Sequence, residues 1–371
     1  MYPAPSVGTV QYFCIHVFRI LPMYFQAVVV LIAAMVFGPV AVSRAADAPR
    51  WQAGYRTINT KGDTGAQPLR IAVWYPTAQR ERPFRTGPFA MRVAASATMS
   101  EGDFAVIALS HGAFGRPINH RDLAIALAHA GYIVIAPQHD PKADAAGFGD
   151  VRQREGRPGE LMLALRAVRS HPAFASHFDA RRVGAIGYSA GGYAVLAAMR
   201  ARSDWSDAAG HCLLHFISDR NFCFGGSGGQ DRHHGAAGVV MVETHDRVPA
   251  QPPALLQIRA AVLLAPVAAV FSADGLTSVR QPVRIYSAEH DQKLNSRFHG
   301  DWLYATLKAQ GTPVELVTTH AGHYVFMSPF PDAIRTSVGD AARDPPGLDR
   351  MAFQQRLARE TIAFFGRTLR R

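Results

Sequence analysis

The chain has 371 residues, of which 48% are hydrophobic, so it can bury a large core as one α/β domain with insertions or as two domains. We expect a single domain over residues 47–371. The formal net charge of +11 falls to +9 without Arg19 and Arg44, the only charged residues of 1–46. Because the remaining basic residues are scattered and form no stripe or reader motif, the sequence argues against nucleic-acid binding and indicates weak attraction to anionic surfaces such as membranes.

The N-terminal segment has the pattern of an export signal. Residues 25–42 are almost wholly apolar, and Ser43-Arg44-Ala45-Ala46 offers a small-residue cleavage site directly after them. We therefore expect residues 1–46 to be a signal peptide and the rest of the chain to be periplasmic or extracellular. Met23 is an alternative start. An uncleaved anchor is the other reading, because about eighteen apolar residues can just span a bilayer.

Buried strands alternate with amphipathic helices along the chain. Residues 54–60 and 69–74 predict an antiparallel pair at one edge of a sheet. Further strands are predicted at 104–109, 132–136, 182–186, 258–266, 282–287 and 314–319. Helices are predicted at 121–130, 160–168, 192–200, 297–310 and 351–365. This alternation is typical of a mostly parallel, doubly wound α/β sheet with flanking helices.

The regular pattern lapses between residues 201 and 253, which are rich in Gly and His. A structureless loop of this length is uncommon in a compact domain, so residues 201–257 are predicted to form a cap or lid. Cys212 and Cys223 are the only cysteines outside the leader, and they are close enough to close a small loop in an oxidising compartment. We expect a disulfide between them; two free thiols are the alternative.

The same segment holds several potential metal ligands, namely His211, His215, His233, His234, Glu243 and His245. The first two histidines stand four residues apart, a spacing that places both on one face of a helix. The acids and cysteines needed for a tetrahedral set do not fall at recognisable spacings. We therefore expect a solvated polar loop here, and no metal site.

One motif stands out within the strand-and-helix pattern. Gly187-Tyr188-Ser189-Ala190-Gly191 matches G-x-S-x-G and lies between the predicted strand 182–186 and the predicted helix 192–200. A nucleophile on such a sharp turn needs neighbours without side chains, which let strand and helix approach closely. The motif therefore predicts Ser189 as a nucleophile.

A serine hydroxyl is a weak nucleophile until an imidazole takes its proton, and the imidazole must be oriented by an acid. The acid should follow the predicted strand 282–287, where Glu289 and Asp291 lie. We prefer Asp291 from its position on the loop, with Glu289 as the alternative.

The base should lie in the loop after the last strand, which holds His320 and His323. We favour His323, because the preceding Gly322 lets the loop bend the imidazole back over the serine. His320 is the reserve. The order Ser189, Asp291, His323 along the chain agrees with this choice.

Two backbone N-H groups are predicted to bind the negative charge that develops when the serine attacks a carbonyl. One belongs to Ala190, directly after the nucleophile. The other follows the predicted strand 104–109 in His111-Gly112-Ala113, where the N-H of Ala113 is the candidate.

Several segments together carry a family resemblance: Val73-Trp74-Tyr75-Pro76, Leu109-Ser110-His111-Gly112, Gly131-Tyr132-Ile133-Val134, Ala136-Pro137-Gln138-His139-Asp140, Gly187–Tyr193, Leu264-Ala265-Pro266 and Ala321–Phe326. They resemble the α/β-hydrolase superfamily and, within it, bacterial proteins described as predicted dienelactone hydrolases. Those are similar to secreted platelet-activating factor acetylhydrolases and some bacterial polyester hydrolases. Dienelactone hydrolases carry a cysteine where this chain has Ser189, so the resemblance implies an esterase and does not carry over lactone specificity.

These observations predict an exported serine hydrolase that cleaves small-molecule or lipid-like carboxylic esters without a cofactor. A peptidase or amidase of the same fold would use the same three residues, but no second domain is visible in the sequence. A non-catalytic binding protein would usually lack one of the three. Neither the oligomeric state nor the substrate can be read from the sequence.

Overall fold

Ten strands of the described residues form one sheet. The computed structural model describes residues 50–60, 68–140, 151–224 and 256–370. The strands are β1 (Gln52–Asn59), β2 (Arg70–Thr77), β3 (Arg82–Thr86), β4 (Phe89–Ala95), β5 (Phe104–Ser110), β6 (Tyr132–Pro137), β7 (Phe178–Tyr188), β8 (Ile258–Leu264), β9 (Val283–Ala288) and β10 (Val314–Thr319). Their order is β10-β9-β8-β7-β5-β6-β2-β1-β4-β3.

Most of this sheet is parallel. The six neighbouring strands from β10 to β6 all pair in parallel, whereas β2 runs antiparallel to both β6 and β1. The predicted fold class is therefore confirmed. The carboxyl ends of parallel strands meet at one edge of such a sheet, which is where ligand-binding residues collect.

The predicted sheet edge was wrong. β1 does pair with β2, but its other side pairs in parallel with β4, and β3 lies outside β4. Strand β4 was not predicted from the sequence. Its side chains alternate between the core and solvent, since Phe89, Met91 and Val93 are buried while Arg92 is exposed.

Eight α-helices are present in the described ranges: α1 (Arg121–His129), α2 (Val151–Ser170), α3 (Ala190–Ala198), α4 (Trp205–His215), α5 (Arg220–Cys223), α6 (Gly300–Ala309), α7 (Asp332–Val338) and α8 (Arg350–Thr368). Helices α1 and α8 pack in the core on one face of the sheet, and α2, α3 and α6 pack in the core on the other. Strand β5 contributes to both, because Val106 and Ala108 face one core and Ile107 and Leu109 face the other. A strand buried on both faces explains the continuous apolar run in the sequence.

Part of the segment expected to be irregular is helical. Helix α4 begins after Asp204, whose side chain accepts a hydrogen bond of 2.8 Å from the N-H of Ser206. Leu213 and Leu214 on α4 are each 79% exposed. The apolar residues of this helix therefore do not mark one buried face, and the sequence lacks the apolar stripe that predicts a helix. The predicted disulfide is confirmed: Cys212 on α4 is bonded to Cys223 on α5. Residues 225–255, which include His233, His234 and His245, lie outside the described residues.

A buried aspartate anchors this helical pair to the loop before α6. Asp219 is 2% exposed, and one of its carboxylate oxygens lies 2.9 Å from Nε2 of His211 and 2.9 Å from Nε2 of His299. The other oxygen accepts 3.1 Å from the N-H of Asn295. Burial opposes ionisation, but the bonds from the two histidines outweigh it and hold the pKa of Asp219 well below its usual range.

The described residues belong to one compact unit, which begins at Pro49. Within them, no helix combines the length and apolar character that a bilayer crossing requires. The predicted leader 1–46 lies outside the described residues.

Candidate active site

Ser189 occupies the turn between β7 and α3. Its backbone has φ +53° and ψ −118°, a conformation that residues with a side chain rarely adopt. Three backbone bonds hold this turn: Ser189 N-H donates to Leu264, and Ser189 C=O accepts from Gly192 and Val267, with distances of 3.0, 2.8 and 3.1 Å. Such locally unfavourable geometry concentrates at functional sites, where the surrounding structure enforces it.

The glycines of the motif are required by close packing. A Cβ atom on Gly191 would lie 2.0 Å from the carbonyl oxygen of Ser110 at the end of β5. A Cβ atom on Gly187 would lie 2.4 Å from the carbonyl oxygen of Gly191. Any side chain at either position would therefore push the start of α3 away from the sheet.

The structure brings Ser189, His323 and Asp291 into one hydrogen-bonded chain. Oγ of Ser189 lies 3.0 Å from Nε2 of His323, and Nδ1 of His323 lies 2.7 Å from Oδ2 of Asp291. His323 stands at the start of a 3₁₀ helix after β10 and is 3% exposed. A carboxylate can only accept, so Nδ1 carries the proton and Nε2 is left to accept the serine hydroxyl proton.

The carboxylate of Asp291 is fixed at both oxygens. Its Oδ1 accepts hydrogen bonds of 2.8 Å from the N-H groups of Lys293 and Leu294. This leaves Oδ2 aimed at His323, so the imidazole ring is held in one orientation.

The two alternative residues lie elsewhere. Glu289 and His320 are bonded to each other, with Oε2 of the carboxylate 2.8 Å from Nδ1 of the imidazole. Their side chains are 54% and 79% exposed. The pair therefore sits at the surface beside the Ser189–His323–Asp291 chain rather than within it.

A cluster of aromatic rings supports the backbone of His323. The hydroxyl of Tyr188 donates to the carbonyl oxygen of His323 over 3.2 Å, and the two rings are 5.1 Å apart. The ring of His120 lies 5.2 Å from that of Tyr188. Burial lowers the pKa of His120 to about 4, so it is neutral at pH 7 and places no positive charge behind the tyrosine.

The loop after β5 lies directly against the nucleophile. A Cβ atom on Gly112 would be 3.2 Å from Cβ of Ser189 and 2.9 Å from the ring of Tyr188. Ala113, the next residue, follows in this loop, and Ala190 is the first residue of α3. The N-H groups of a first helical turn have no partner within the helix, so that of Ala190 is available to an anion.

The carbonyl oxygen of Gly112 is held by several donors. It lies 2.8 Å from Nδ1 of His111, 3.1 Å from the N-H of Gly115 and 3.4 Å from a guanidinium nitrogen of Arg157. In a trans peptide the C=O and the following N-H point in opposite directions. Fixing this carbonyl therefore also fixes the direction of the N-H of Ala113.

A buried polar network lies behind this loop, and the sequence analysis did not identify it. Oγ of Ser110 is 2.8 Å from Nε2 of His139, whose Nδ1 is 2.6 Å from Oε2 of Glu160. Arg157, from the same helix α2, donates over 2.7 Å to the carbonyl oxygen of His111. Burial lowers the pKa of His139 well below its usual range and raises that of Glu160 to about 7. Because Ser110 is fully buried, this second Ser-His-Glu chain is closed to substrate.

The helical pair α4 and α5 borders the loop after β9, which carries Asp291 and is called the acid loop. A cleft of about 300 Å³ opens between residues 217–221 and the acid loop. The residues that line it include Ile217, Asn221, Asp291 and Lys293. The side-chain amide of Asn221 donates to the carbonyl oxygen of Gln292. Five large apolar side chains between residues 213 and 224 face solvent: Leu213, Leu214, Phe216, Ile217 and Phe224. Of these, Ile217 lines the cleft.

The chain is similar to many solved structures, two of which illustrate the likeness, although no family model and no curated protein matches it. One is a dienelactone hydrolase-like promiscuous phosphotriesterase from metagenomic libraries, with 13% identity, a TM-score of 0.51, and coverage of 86% of this chain and 100% of that one. The other is esterase 2 of Thermogutta terrifontis phosphonylated by cyclosarin, with 16% identity, a TM-score of 0.50, and coverage of 85% and 96%. At this identity the likeness concerns architecture, and it agrees with the motif resemblance: the chain has the α/β-hydrolase fold.

Proposed function

We propose that the protein is a serine hydrolase that cleaves carboxylic esters without a cofactor. The observation that carries this proposal is the continuous hydrogen-bonded chain from Ser189 through His323 to Asp291, on a strained turn at the carboxyl edge of the sheet. The names of the two similar structures, a phosphotriesterase and an esterase, support the hydrolase class.

The geometry supports a two-step mechanism. Oγ of Ser189 attacks the ester carbonyl carbon while Nε2 of His323 takes its proton, and Asp291 stabilises the imidazolium that forms. The N-H groups of Ala113 and Ala190 bind the oxyanion of the tetrahedral intermediate. The intermediate collapses, the C–O bond breaks, and the imidazolium protonates the departing alcohol. Water, deprotonated by the same imidazole, then attacks the acyl-enzyme and releases the acid and the free serine.

The substrate is a small-molecule or lipid-like ester. The exposed Ile217, which lines the cleft with Asp291, and the exposed Leu213 and Leu214 on α4 support an apolar substrate. Because residues 217–221 line the same cleft as Asp291, we propose that the segment 201–257 serves as the cap that contacts the substrate. The net positive charge is compatible with work at an anionic membrane surface.

The protein is exported, and residues 1–46 direct that export. The apolar stretch with its small-residue site supports this assignment. So does the disulfide between Cys212 and Cys223, since disulfides persist mainly in oxidising compartments.

A substrate panel tests the reaction class. The full chain is offered p-nitrophenyl esters of increasing acyl length and the matching p-nitroanilides, with Ser337→Ala, an exposed serine on α7, as a control. The proposal expects ester turnover in the wild type and the control, and much slower release from the anilides. Faster cleavage of the anilides would indicate an amidase, and no turnover of any substrate would favour a binding protein.

A further inference from the structure

Three side chains with metal-ligating atoms meet at the surface next to the catalytic loops. Nε2 of His290 lies 3.2 Å from Nδ1 of His320, and that nitrogen lies 2.8 Å from Oε2 of Glu289. One ligand atom from each of the three residues lies within 4.8 Å of both others. All three side chains are exposed, so an ion can reach them from solvent.

The spacing of these atoms matches the edge of a coordination sphere. Two ligands each about 2.0–2.1 Å from a zinc ion lie about 3.3 Å apart in tetrahedral geometry and about 2.9 Å apart at a right angle. The distances of 3.2 and 2.8 Å around Nδ1 of His320 are close to these two values. When Nδ1 of His320 holds a proton it donates to Glu289, and a metal bound at this nitrogen replaces that proton. Nε2 of His290 lies 3.2 Å from this nitrogen and 3.3 Å from Nε2 of the same ring.

The main chain holds the three residues in place. The N-H of Glu289 donates to the carbonyl oxygen of Thr319 over 2.9 Å, and the N-H of His290 donates to that of Ala321 over 3.0 Å. These bonds join the loop after β9 to the loop after β10. The backbone positions of the ligands are therefore preorganised, which reduces the entropy lost on binding.

We propose that Glu289, His290 and His320 form a binding site for one divalent transition-metal ion such as Zn²⁺, with water in the remaining positions. Two imidazoles and one carboxylate suit zinc, nickel and copper. Calcium and magnesium prefer sets made of oxygen ligands and do not fit this site. None of these three residues belongs to the potential metal ligands that the sequence shows in the segment 201–257.

The metal fastens together the two loops that carry the proposed acid and base. Glu289 lies two residues before Asp291, and His320 lies three residues before His323. In the unfolded chain these ligands come from two separate stretches of sequence, so the metal binds the native state more tightly. Its expected effect is a rise in the unfolding midpoint of at least about 2 °C at saturating metal.

Zinc titration of the full chain tests the site. The protein is first freed of metal with a chelator, and Zn²⁺ binding is then followed by calorimetry and by thermal unfolding in wild type, His290→Ala, His320→Ala and the control His177→Ala. The control removes a histidine far from the cluster, whose Nδ1 bonds to the carbonyl oxygen of Gly102. Wild type and control should each bind one more equivalent of Zn²⁺ than His290→Ala and His320→Ala. The midpoint of thermal unfolding should rise with Zn²⁺ only in wild type and control.

Comparison between variants distinguishes zinc binding at this site from zinc binding by the histidines at 233, 234 and 245. Equal zinc stoichiometry and equal midpoint shifts in wild type and both cluster variants would overturn the proposal, as would equal stabilisation by Ca²⁺ and Zn²⁺. Glu289→Gln covers the case in which an alanine variant fails to fold: it keeps the side-chain shape and should weaken zinc binding by about 10- to 100-fold. Unchanged affinity in Glu289→Gln would also count against the site.

Discussion

Arg157 reaches from helix α2 to the carbonyl oxygen of His111, 46 residues earlier in the chain, with a hydrogen bond of 2.7 Å. Its second bond, to the carbonyl oxygen of Gly112, fixes the peptide that contains the N-H of Ala113. Arg157 is 2% exposed and therefore acts from beneath the loop. We assign it a positioning role: it aims a proposed oxyanion donor without contacting substrate.

Arg157→Lys should slow the chemical step more than it weakens substrate binding. A lysine keeps the charge but cannot bond both carbonyls in a fixed fork. Because one oxyanion donor is worth about 10²–10³ in kcat, we expect a kcat at least about 10-fold lower with little change in KM. Steady-state ester hydrolysis at a temperature where circular dichroism shows a folded protein measures this. The exposed Arg166→Lys on the same helix is the control, and equal kcat in both variants would rule out the positioning role.

Asp291→Asn should reduce turnover without disturbing the fold. An amide in place of the carboxylate favours the wrong tautomer of His323, and in comparable triads this costs about 10⁴ in kcat. The matched control is Asp332→Asn, whose side chain is 93% exposed on α7. A loss of less than about 10-fold in Asp291→Asn would mean that another carboxylate, first of all Glu289, orients the base.

Acid should destabilise the fold partly through His120. Burial lowers its pKa to about 4, against about 6.5 in an unfolded chain, so the unfolded state binds more protons between these values and stability falls as the pH drops through this window. His111 and His139 act in the same direction, whereas Glu160, with its pKa raised to about 7 by burial, acts in the opposite direction. Urea unfolding should show that the free energy of unfolding falls by about 2 kcal/mol less in His120→Phe than in wild type when the pH is lowered from 7 to 5. The control His177→Phe, at a half-buried histidine, should behave as wild type; identical pH dependence in all three proteins would refute the contribution of His120.

The disulfide should stabilise the helical pair that borders the acid loop. Cys212 and Cys223 close a short loop, for which the chain-entropy model gives about 3 kcal/mol. The double variant Cys212→Ser with Cys223→Ser should therefore unfold at lower urea concentration than wild type. Dithiothreitol should lower the stability of the wild type to that of the variant and leave the variant unchanged. Equal sensitivity of both proteins to the reductant would contradict this account.

The sequence pattern predicted the central sheet and pointed to residues that the structure brings together, but it did not reveal the contacts that support them. Strands such as β5 are buried on both faces and appear as continuous apolar runs, and G-x-S-x-G carries its own strand-turn-helix context. The order of the loops then pointed to Asp291 and His323, which the structure places in one hydrogen-bonded chain with Ser189.

Tertiary contacts account for what the sequence did not reveal. Ser110, His139 and Glu160 come from three separate elements, and no local pattern indicates that they meet. Helix α4 exposes its leucines and so lacks the buried stripe that marks a helix in sequence. The metal-ligand set at Glu289, His290 and His320 likewise depends on the pairing of β9 with β10.

The central claim is that Ser189 is the nucleophile, and covalent labelling with a fluorophosphonate tests it most directly. Intact-protein mass spectrometry should show one adduct on the wild type, located on Ser189 by peptide mapping, together with loss of ester turnover. Ser189→Ala should remain folded, take up no adduct and hydrolyse p-nitrophenyl acetate at the uncatalysed rate. A labelled residue other than Ser189, or a Ser189→Ala protein that hydrolyses the ester at the wild-type rate, would contradict the account.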